Sequence, residues 1–265
     1  MARAFRMATV LLLAALTLSP PLVFETAATA VTAVTAHRGS SHAAPENTLA
    51  AIRRAMADGA DIVEIDVQMT QDGVVILFHD ETLKKLGLPG RVADTPYSVI
   101  AEADAGSWHS PAHAGERVPT LEQVLEETKG KIRLNIELKM TDPSLPLPET
   151  VAGMLAVHGM TDAAIVTSFH REALSRAKAV NPGLRTGLIV GTKRALRDDI
   201  WEDQVEILSL KSRLIDRKVV NRARQTGKEV HVWTVNDRKE MKRLIRMGVA
   251  SIITDRPDAL RALLD

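Results

Sequence analysis

A chain of 265 residues, 45% of them apolar, can bury a full core, either as one α/β barrel or as two small domains. Its formal net charge is +1 and the two signs are interspersed, which excludes the basic pattern of a nucleic-acid-binding protein. Cysteine is absent, which excludes disulfides, thiolate chemistry, cysteine-bound zinc and lipid attachment through cysteine.

The first 30 residues are typical of an export signal. Arg3 and Arg6 precede an apolar run from Met7 to Leu18, which is too short to span a bilayer comfortably. Ala28-Thr29-Ala30 has the small-x-small pattern of a cleavage site. We therefore expect a signal peptide over residues 1–30, a mature domain over 31–265 and a secreted protein without stable membrane insertion. An uncleaved anchor, with the apolar run extended to Phe24, is the alternative.

The segment that follows predicts a short strand, a helix and a hairpin. The strand covers 34–37 and the helix covers 45–58, ending at Gly59. Residues 61–67 alternate, so Glu64 and Asp66 share one face of a strand. The Asp72-Gly73 turn then reverses the chain, and the return strand brings His79 back to the level of those two carboxylates.

Residues 81–118 are interrupted repeatedly by glycine and proline and predict an irregular lid or capping insertion. Thr120 then begins a helix that runs to about Thr128, with Gln123 completing a capping box.

A regular alternation of strands and helices fills the rest of the chain. The strands are expected at Arg133–Lys139, Ala164–Phe169, Arg185–Val190, Val205–Leu210, Glu229–Val235 and Ser251–Thr254. The helices are expected at about 148–158, 171–180, 192–199, 216–226, 237–247 and 257–264. With the two earlier strands, this makes eight strand-then-helix units. They predict a single α/β domain, a (β/α)8 TIM barrel with a small insertion after the second strand and hairpin. A doubly wound sheet is the alternative, but no glycine-rich dinucleotide motif follows the first strand.

The ionisable residues of interest lie at or just past strand ends, which in a barrel surround one catalytic mouth. Glu64 and Asp66 would converge there with Asn135, Glu137 and Lys139. Carboxylates in a water-accessible site prefer hard divalent cations such as Mg²⁺ or Ca²⁺. Two imidazoles, His37 and His79, provide groups that move protons near neutral pH.

These residues resemble the glycerophosphodiester phosphodiesterase family, of the secreted bacterial type, over most of residues 33–262. The resemblance depends on the order and spacing of several short motifs rather than on any single one. They are His37-Arg38-Gly39, Pro45-Glu46-Asn47-Thr48, Gly59-Ala60-Asp61, Glu64 with Asp66, Thr70 with Asp72-Gly73, His79-Asp80, Val118-Pro119-Thr120-Leu121, Glu137-Leu138-Lys139, Trp233-Thr234-Val235-Asn236 and Ile253-Thr254-Asp255-Arg256-Pro257.

The resemblance implies a distorted (β/α)8 barrel that hydrolyses small-molecule glycerophosphodiesters to glycerol 3-phosphate and an alcohol, using one divalent metal ion, Ca²⁺ or Mg²⁺. By the same resemblance, the site residues fall into four groups. The acid–base pair would be His37 and His79, the metal ligands Glu64, Asp66 and Glu137, the phosphate-binding cations Arg38 and Lys139, and the aromatic residue of the glycerol pocket Trp233.

The sequence departs from the family pattern in two places. Residues 82–87 replace an arginine, paired-threonine and glycine run, which leaves the insertion's substrate contacts open. Lys211 ends the sixth strand, and we expect it to lie at the barrel mouth and to disfavour cationic alcohol groups such as choline.

Two other functions fit parts of the pattern. A phospholipase D or lysophospholipase D of the sphingomyelinase type would share the barrel, the metal and the histidine pair. A non-catalytic binding barrel would be expected to have lost a histidine or a metal ligand, and none is missing. The sequence ranks neither the soluble head groups nor Ca²⁺ against Mg²⁺, and it does not predict the oligomeric state.

Overall fold

The computed structural model describes residues 32–265, in which eight parallel strands close into a barrel. The first strand pairs with both the second and the last, which closes the sheet. A ninth, antiparallel strand extends the second strand as a hairpin. The strands are β1 Ala33–Ala36, β2 Ile62–Met69, β3 Val75–Leu77, β4 Arg133–Leu138, β5 Ala164–Ser168, β6 Arg185–Val190, β7 Ile207–Lys211, β8 Glu229–Trp233 and β9 Ser251–Thr254. The predicted (β/α)8 barrel is confirmed, whereas the predicted export signal, residues 1–30, lies outside the described residues.

The helices cover the outside of the barrel. They are α1 Leu49–Ala57, α2 Tyr97–Ile100, α3 Leu121–Thr128, α4 Leu147–Val157, α5 Arg171–Val180, α6 Arg217–Gln225, α7 Arg238–Met247 and α8 Pro257–Arg261. The capping box predicted for α3 is present: the Thr120 side chain accepts from the Gln123 N–H, and the Gln123 side chain accepts from the Thr120 N–H. Among residues 32–265, none of the helices combines the length and the apolar character needed to cross a membrane.

The alternation along β2 separates the apolar core from the functional mouth. Val63, Ile65 and Val67 are fully buried in the main core, together with residues of the surrounding helices. Glu64 and Asp66 point the other way, into the barrel, and are also buried. A small cluster of Ile62, Ile165 and Ile207, from the first residues of three strands, fills the opposite end of the barrel. The polar side chains are therefore left at the carboxyl ends of the strands, where a barrel has its active site.

The hairpin has the register that the turn predicts. Val67 lies opposite Leu77, and the Phe78 N–H donates to the Asp66 carbonyl oxygen at 3.1 Å. The return strand therefore brings His79 back to the level of Asp66, as expected.

Residues 81–118 are more ordered than the predicted irregular insertion. They contain α2 and three short 3₁₀ turns, at Leu83–Leu86, Val92–Asp94 and Pro111–His113. A second apolar cluster, separate from the main core, joins this segment to β3. Its buried members are Ile76, Phe78, Leu83, Val92, Ile100, Ala105 and Val118. The insertion consequently has a core of its own and a fixed position beside the hairpin.

Two helix predictions are wrong in detail. The helix expected over 192–199 is absent, and a 3₁₀ turn at Asp198–Trp201 follows β6 instead. That segment is mostly charged, and Leu196 is its contact with the main core, so a short helix would have no apolar face to bury. The helix expected over 45–58 begins only at Leu49, because Asn47 has a left-handed backbone (φ 58°) and Thr48 caps the helix.

Candidate active site

Three carboxylates converge inside the mouth of the barrel. The parallel register places Asp66 of β2 directly beside Glu137 of β4. Glu64 precedes Asp66 by two residues on β2, so both side chains lie on the same inward face of the strand. One oxygen from each of Glu64, Asp66 and Glu137 lies within 4.8 Å of the others. The structure therefore brings together the three residues that are predicted from the sequence to be metal ligands.

Asp66 is the most strongly paired of the three carboxylates. Its Oδ2 accepts a hydrogen bond from Asn47 Nδ2 at 2.9 Å, and Lys139 Nζ lies 3.6 Å from its Oδ1. Arg38 Nε is 3.1 Å from Oδ2, as an ion pair whose angle falls outside hydrogen-bond range. Burial alone would raise the pKa of Asp66, but the positive charges of Arg38 and Lys139 outweigh burial and lower it. Asp66 is thus held ionised.

The pKa values of Glu64 and Glu137 shift in the opposite direction, upward. Burial, followed by the negative charge of Asp66, raises the pKa of Glu64 to about 8. The same two causes raise the pKa of Glu137, although Lys139 Nζ donates to its Oε1 at 2.9 Å. Three buried carboxyl groups at this distance repel one another when ionised, and a divalent cation between them would remove that repulsion. The donor set, oxygen only, fits Mg²⁺ or Ca²⁺.

Arg38 holds the loop after β1 against this cluster. Its backbone is left-handed (φ 55°), which is uncommon for a residue with a side chain. This conformation aims its N–H at Glu64 Oε2, at 2.8 Å, while its guanidinium lies between Asp66 and Glu46. Glu46 is also bound by Lys85 of the insertion, at 2.6 Å. Backbone strain is therefore offset by contacts on both sides of the residue.

Each candidate histidine is oriented by an aspartate. His37 Nδ1 is 2.6 Å from Asp255 Oδ1, and His79 Nδ1 is 2.8 Å from Asp80 Oδ1. Because Nδ1 is engaged in both rings, Nε2 is the atom left to meet a substrate. Both rings line the same cavity as Glu64, Glu137 and Lys139. Two imidazoles and a carboxylate cluster thus surround one space.

The pair of His37 and Asp255 is held by further contacts. Asp255 also accepts hydrogen bonds from Ser41 Oγ at 3.1 Å and Asn236 Nδ2 at 2.5 Å. Burial disfavours the His37 imidazolium, but the hydrogen bond to Asp255 and the charge of Glu64 outweigh it and raise the pKa of His37. Burial likewise opposes ionisation of Asp255, yet its bond to His37 lowers the pKa of Asp255 to about 2. The two side chains stabilise each other's charged forms.

The inner wall of the cavity is apolar. Trp233 lines it together with Phe169 and Ile189, with the Phe169 ring edge-on to the indole at 6.0 Å between centroids. Trp233 Nε1 donates to the Ser209 carbonyl oxygen at 2.9 Å, which fixes the plane of the indole. Lys211 is half-buried at the end of β7, as the strand pattern predicts, and its Nζ lies 5.6 Å from the centroid of the Trp233 ring. It lies outside the set of residues that line the cavity.

Sequence reasoning missed several residues that hold the site together. Asp255 belongs to a motif noted in the sequence, but its partner His37 is 218 residues away, and only closure of the barrel brings the two together. Asn47 and Glu46 lie in the Pro45–Thr48 motif, and their contacts with Asp66 and Arg38 depend on the two left-handed residues of that loop. The sequence does not indicate the contact of Lys85 with Glu46, because residues 82–87 depart from the family pattern.

Comparisons with known proteins agree with this geometry. The model of the Glycerophosphoryl diester phosphodiesterase family matches residues 37–259. A glycerophosphodiester phosphodiesterase of Caldanaerobacter subterraneus is 34% identical over 238 residues, which cover 86% of this chain and 96% of that protein. One from Bacillus subtilis is 31% identical over 244 residues, covering 84% of this chain and 83% of that protein.

Solved structures show the same similarity. The structure of an Oleispira antarctica phosphodiesterase in complex with the product sn-glycerol-3-phosphate superposes with a TM-score of 0.82 at 30% identity, covering 89% of this chain and 97% of that one. A glycerophosphodiester phosphodiesterase from Agrobacterium tumefaciens superposes with a TM-score of 0.76 at 30% identity, covering 87% of this chain and 99% of that one.

Proposed function

The chain belongs to the glycerophosphoryl diester phosphodiesterase family and is a phosphoric diester hydrolase, and we propose that it cleaves glycerophosphodiesters to glycerol 3-phosphate and an alcohol with one divalent cation and two histidines. The observation that carries the proposal is the convergence of three carboxylates and two aspartate-bound imidazoles on one cavity.

Glu64, Asp66 and Glu137 would hold Mg²⁺ or Ca²⁺. When bound, the cation supplies positive charge to the phosphoryl oxygens as negative charge develops there. Arg38 and Lys139 add fixed positive charge on the same side of the cavity, since both lie within ion-pair distance of Asp66. A phosphodiester anion repels nucleophiles, so this concentration of positive charge lowers the barrier to attack.

His37 and His79 divide the proton transfers. One neutral imidazole accepts a proton from the attacking oxygen, and the other, protonated, donates one to the departing alkoxide. The attacking oxygen belongs either to water or to the neighbouring glycerol hydroxyl. Asp255 and Asp80 engage Nδ1 of the two rings, which leaves Nε2 of each ring for the proton transfers. The glycerol end of the substrate would lie against Trp233, whose indole is fixed by Ser209.

A lipid substrate with an acyl tail is less well supported. In the insertion, the large apolar side chains mainly point into its own core, and Val99 and Trp108 are its two exposed large hydrophobic residues. A membrane-docking surface would require a larger exposed apolar patch. A non-catalytic binding barrel would not need two aspartate-oriented histidines. We therefore expect the substrates to be water-soluble diesters rather than lipids.

The enzyme would act outside the cytoplasm. This part of the proposal depends on the sequence of residues 1–30, with its basic start, short apolar run and small-x-small cleavage pattern.

A coupled assay for released glycerol 3-phosphate tests the function. Glycerophosphocholine, glycerophosphoglycerol and glycerophosphoinositol would be compared, with and without EDTA. We expect release from at least one diester, its loss in EDTA and its recovery with excess Mg²⁺ or Ca²⁺. Full activity in EDTA would contradict the role of the cation, and the absence of glycerol 3-phosphate with every diester would contradict the reaction.

A further inference from the structure

A second cavity adjoins the catalytic one and opens outward. This outer cleft lies between the loop after β1, which carries Ser41, His42 and Glu46, the insertion residue Trp108, and the ends of β8 and β9 at Asn236 and Arg256. The outer cleft and the catalytic cavity share His37 and Arg38 as lining residues. A phosphoryl group beside these two residues would therefore lie at the junction of the two spaces.

The sizes of the two cavities favour one end of the diester in each. The catalytic cavity is about 150 Å³. That is smaller than the pockets of about 300–1,000 Å³ that usually enclose a small-molecule ligand. The outer cleft adds about 430 Å³. With the glycerol end against Trp233, the alcohol head group extends past His37 into the outer cleft.

The carboxylates of the outer cleft already have ion-pair or hydrogen-bond partners. Glu46 is bound by Arg38 Nη1 at 3.1 Å and by Lys85 Nζ at 2.6 Å. Asp255 is bound by His37, Ser41 and Asn236. Neither of these acidic side chains is available to attract a cationic head group.

Positive charge, in contrast, remains available at the rim. The Arg256 side chain is 45% exposed, and its guanidinium lies 3.9 Å from Asp258, at the limit of an ion pair. The exposed Trp108 ring offers little to a quaternary ammonium group, because Lys85 Nζ already lies 4.3 Å from its centroid. The ammonium of Lys85 would also repel a second cation there.

We propose that the outer cleft is the head-group subsite and that Arg256 makes it selective for alcohols carrying negative charge, such as a phosphorylated alcohol, over cationic ones. This inference rests on the proposed function, since it concerns the alcohol end of the same substrate. Ser41 Oγ donates its proton to Asp255 and can still accept a hydrogen bond from a hydroxyl group of that alcohol.

The test compares three diesters with the same glycerol 3-phosphate half. Their head groups are choline, glycerol and glycerol phosphate, which are cationic, neutral and anionic. We expect Arg256→Gln to lower kcat/KM for the anionic head group about tenfold, the range for losing a hydrogen bond to a charged group, and to leave the neutral one nearly unchanged. Arg256→Lys should recover part of the loss. Arg133→Gln is the matched control: it removes the same charge from an exposed position at the opposite end of the barrel, and all three rates should be retained.

The results distinguish failure of the head-group subsite from failure of the proposed hydrolysis. A selective loss in Arg256→Gln, with partial recovery in Arg256→Lys, supports the subsite. Equal losses for all three head groups, or no loss for any, would overturn it while leaving the hydrolysis itself intact. If the unmodified enzyme released glycerol 3-phosphate from none of the three, the proposed function would fail first and the subsite with it.

Discussion

Replacing Asp255 by Asn tests how the active site controls His37. The substitution keeps the size of the side chain and one acceptor oxygen for His37 and Ser41, but it removes the negative charge 2.6 Å from His37 Nδ1 and the acceptor for Asn236 Nδ2. The imidazole would keep a neutral partner and lose a charge-assisted one.

The expected loss of rate follows from the contact between Asp255 and His37. Asp255 is only partly exposed, at 31% of its side chain, so solvent screens the interaction incompletely. A hydrogen bond to a charged group contributes about 1.5–3 kcal/mol. The neutral hydrogen bond that the asparagine keeps is about half as strong, so the loss is about 0.75–1.5 kcal/mol. At about 1.4 kcal/mol for each factor of ten, the rate should fall by roughly 3- to 12-fold if the contact is fully used in the transition state.

The direction of the pH shift is also set by the structure. Asp255 raises the pKa of His37, so its removal must lower that pKa. If His37 is the base, the acidic limb of the rate profile moves to lower pH. If His37 is the acid, the basic limb moves to lower pH. Either way one limb moves and the other stays, and the limb that moves identifies the role of His37.

The assay is the pH dependence of kcat/KM for glycerol 3-phosphate release, which reports the free enzyme. Asp80→Asn, which removes the negative charge 2.8 Å from His79 Nδ1, should lower kcat/KM by a similar factor through the loss of a charge-assisted contact. Asp162→Asn, at an exposed position away from the barrel mouth, is the control and should leave both limbs in place. If kcat/KM of Asp255→Asn fell by less than about threefold and both limbs stayed in place, the contact between Asp255 and His37 would be structural only.

Three further predictions concern the substrate, the histidines and export. Lys211 Nζ lies 5.6 Å from the Trp233 centroid, at the glycerol end of the substrate and outside the outer cleft, so Lys211→Ala should leave the ratio of glycerophosphocholine to glycerophosphoglycerol turnover unchanged. A rise in that ratio would instead support the sequence-based expectation that Lys211 disfavours choline and would place the head group on the Trp233 side. His37→Ala and His79→Ala should each lower kcat by about 10²–10⁴-fold, but a p-nitrophenyl leaving group should rescue only the one that lost the acid. Equal defects on both substrates, with metal still bound, would mean that the histidines only position the phosphate. N-terminal sequencing of exported protein should begin at Val31; a chain that retains Met1 would contradict cleavage.

Much of the site could be predicted because it is local in sequence. Glu64 and Asp66 share a face through the two-residue period of a strand, and a two-residue turn returns His79 to their level. The burial of both faces of β2 likewise follows from its position in a barrel between core and helices.

The parts that could not be predicted depend on long-range closure or on backbone conformation. The contact between His37 and Asp255 requires β1 to pair with β9, and nothing local to either residue indicates it. The left-handed backbone of Arg38 and Asn47 has no propensity signal, yet it sets the contacts with Glu64 and Asp66. The strand pattern predicts that Lys211 ends β7, which it does, but its position over Trp233 depends on the neighbouring strand.

Calorimetric titration of Mg²⁺ and Ca²⁺ tests whether Glu64, Asp66 and Glu137 hold the catalytic cation. We expect stoichiometric binding of one ion to the unmodified protein. Glu64→Gln or Glu137→Gln should weaken that binding at least tenfold without loss of the folded state. Glu126→Gln, an exposed carboxylate on α3, should not alter it. Unchanged affinity in Glu64→Gln and Glu137→Gln, or full turnover by metal-stripped Glu64→Gln, would mean that these carboxylates do not hold the catalytic cation.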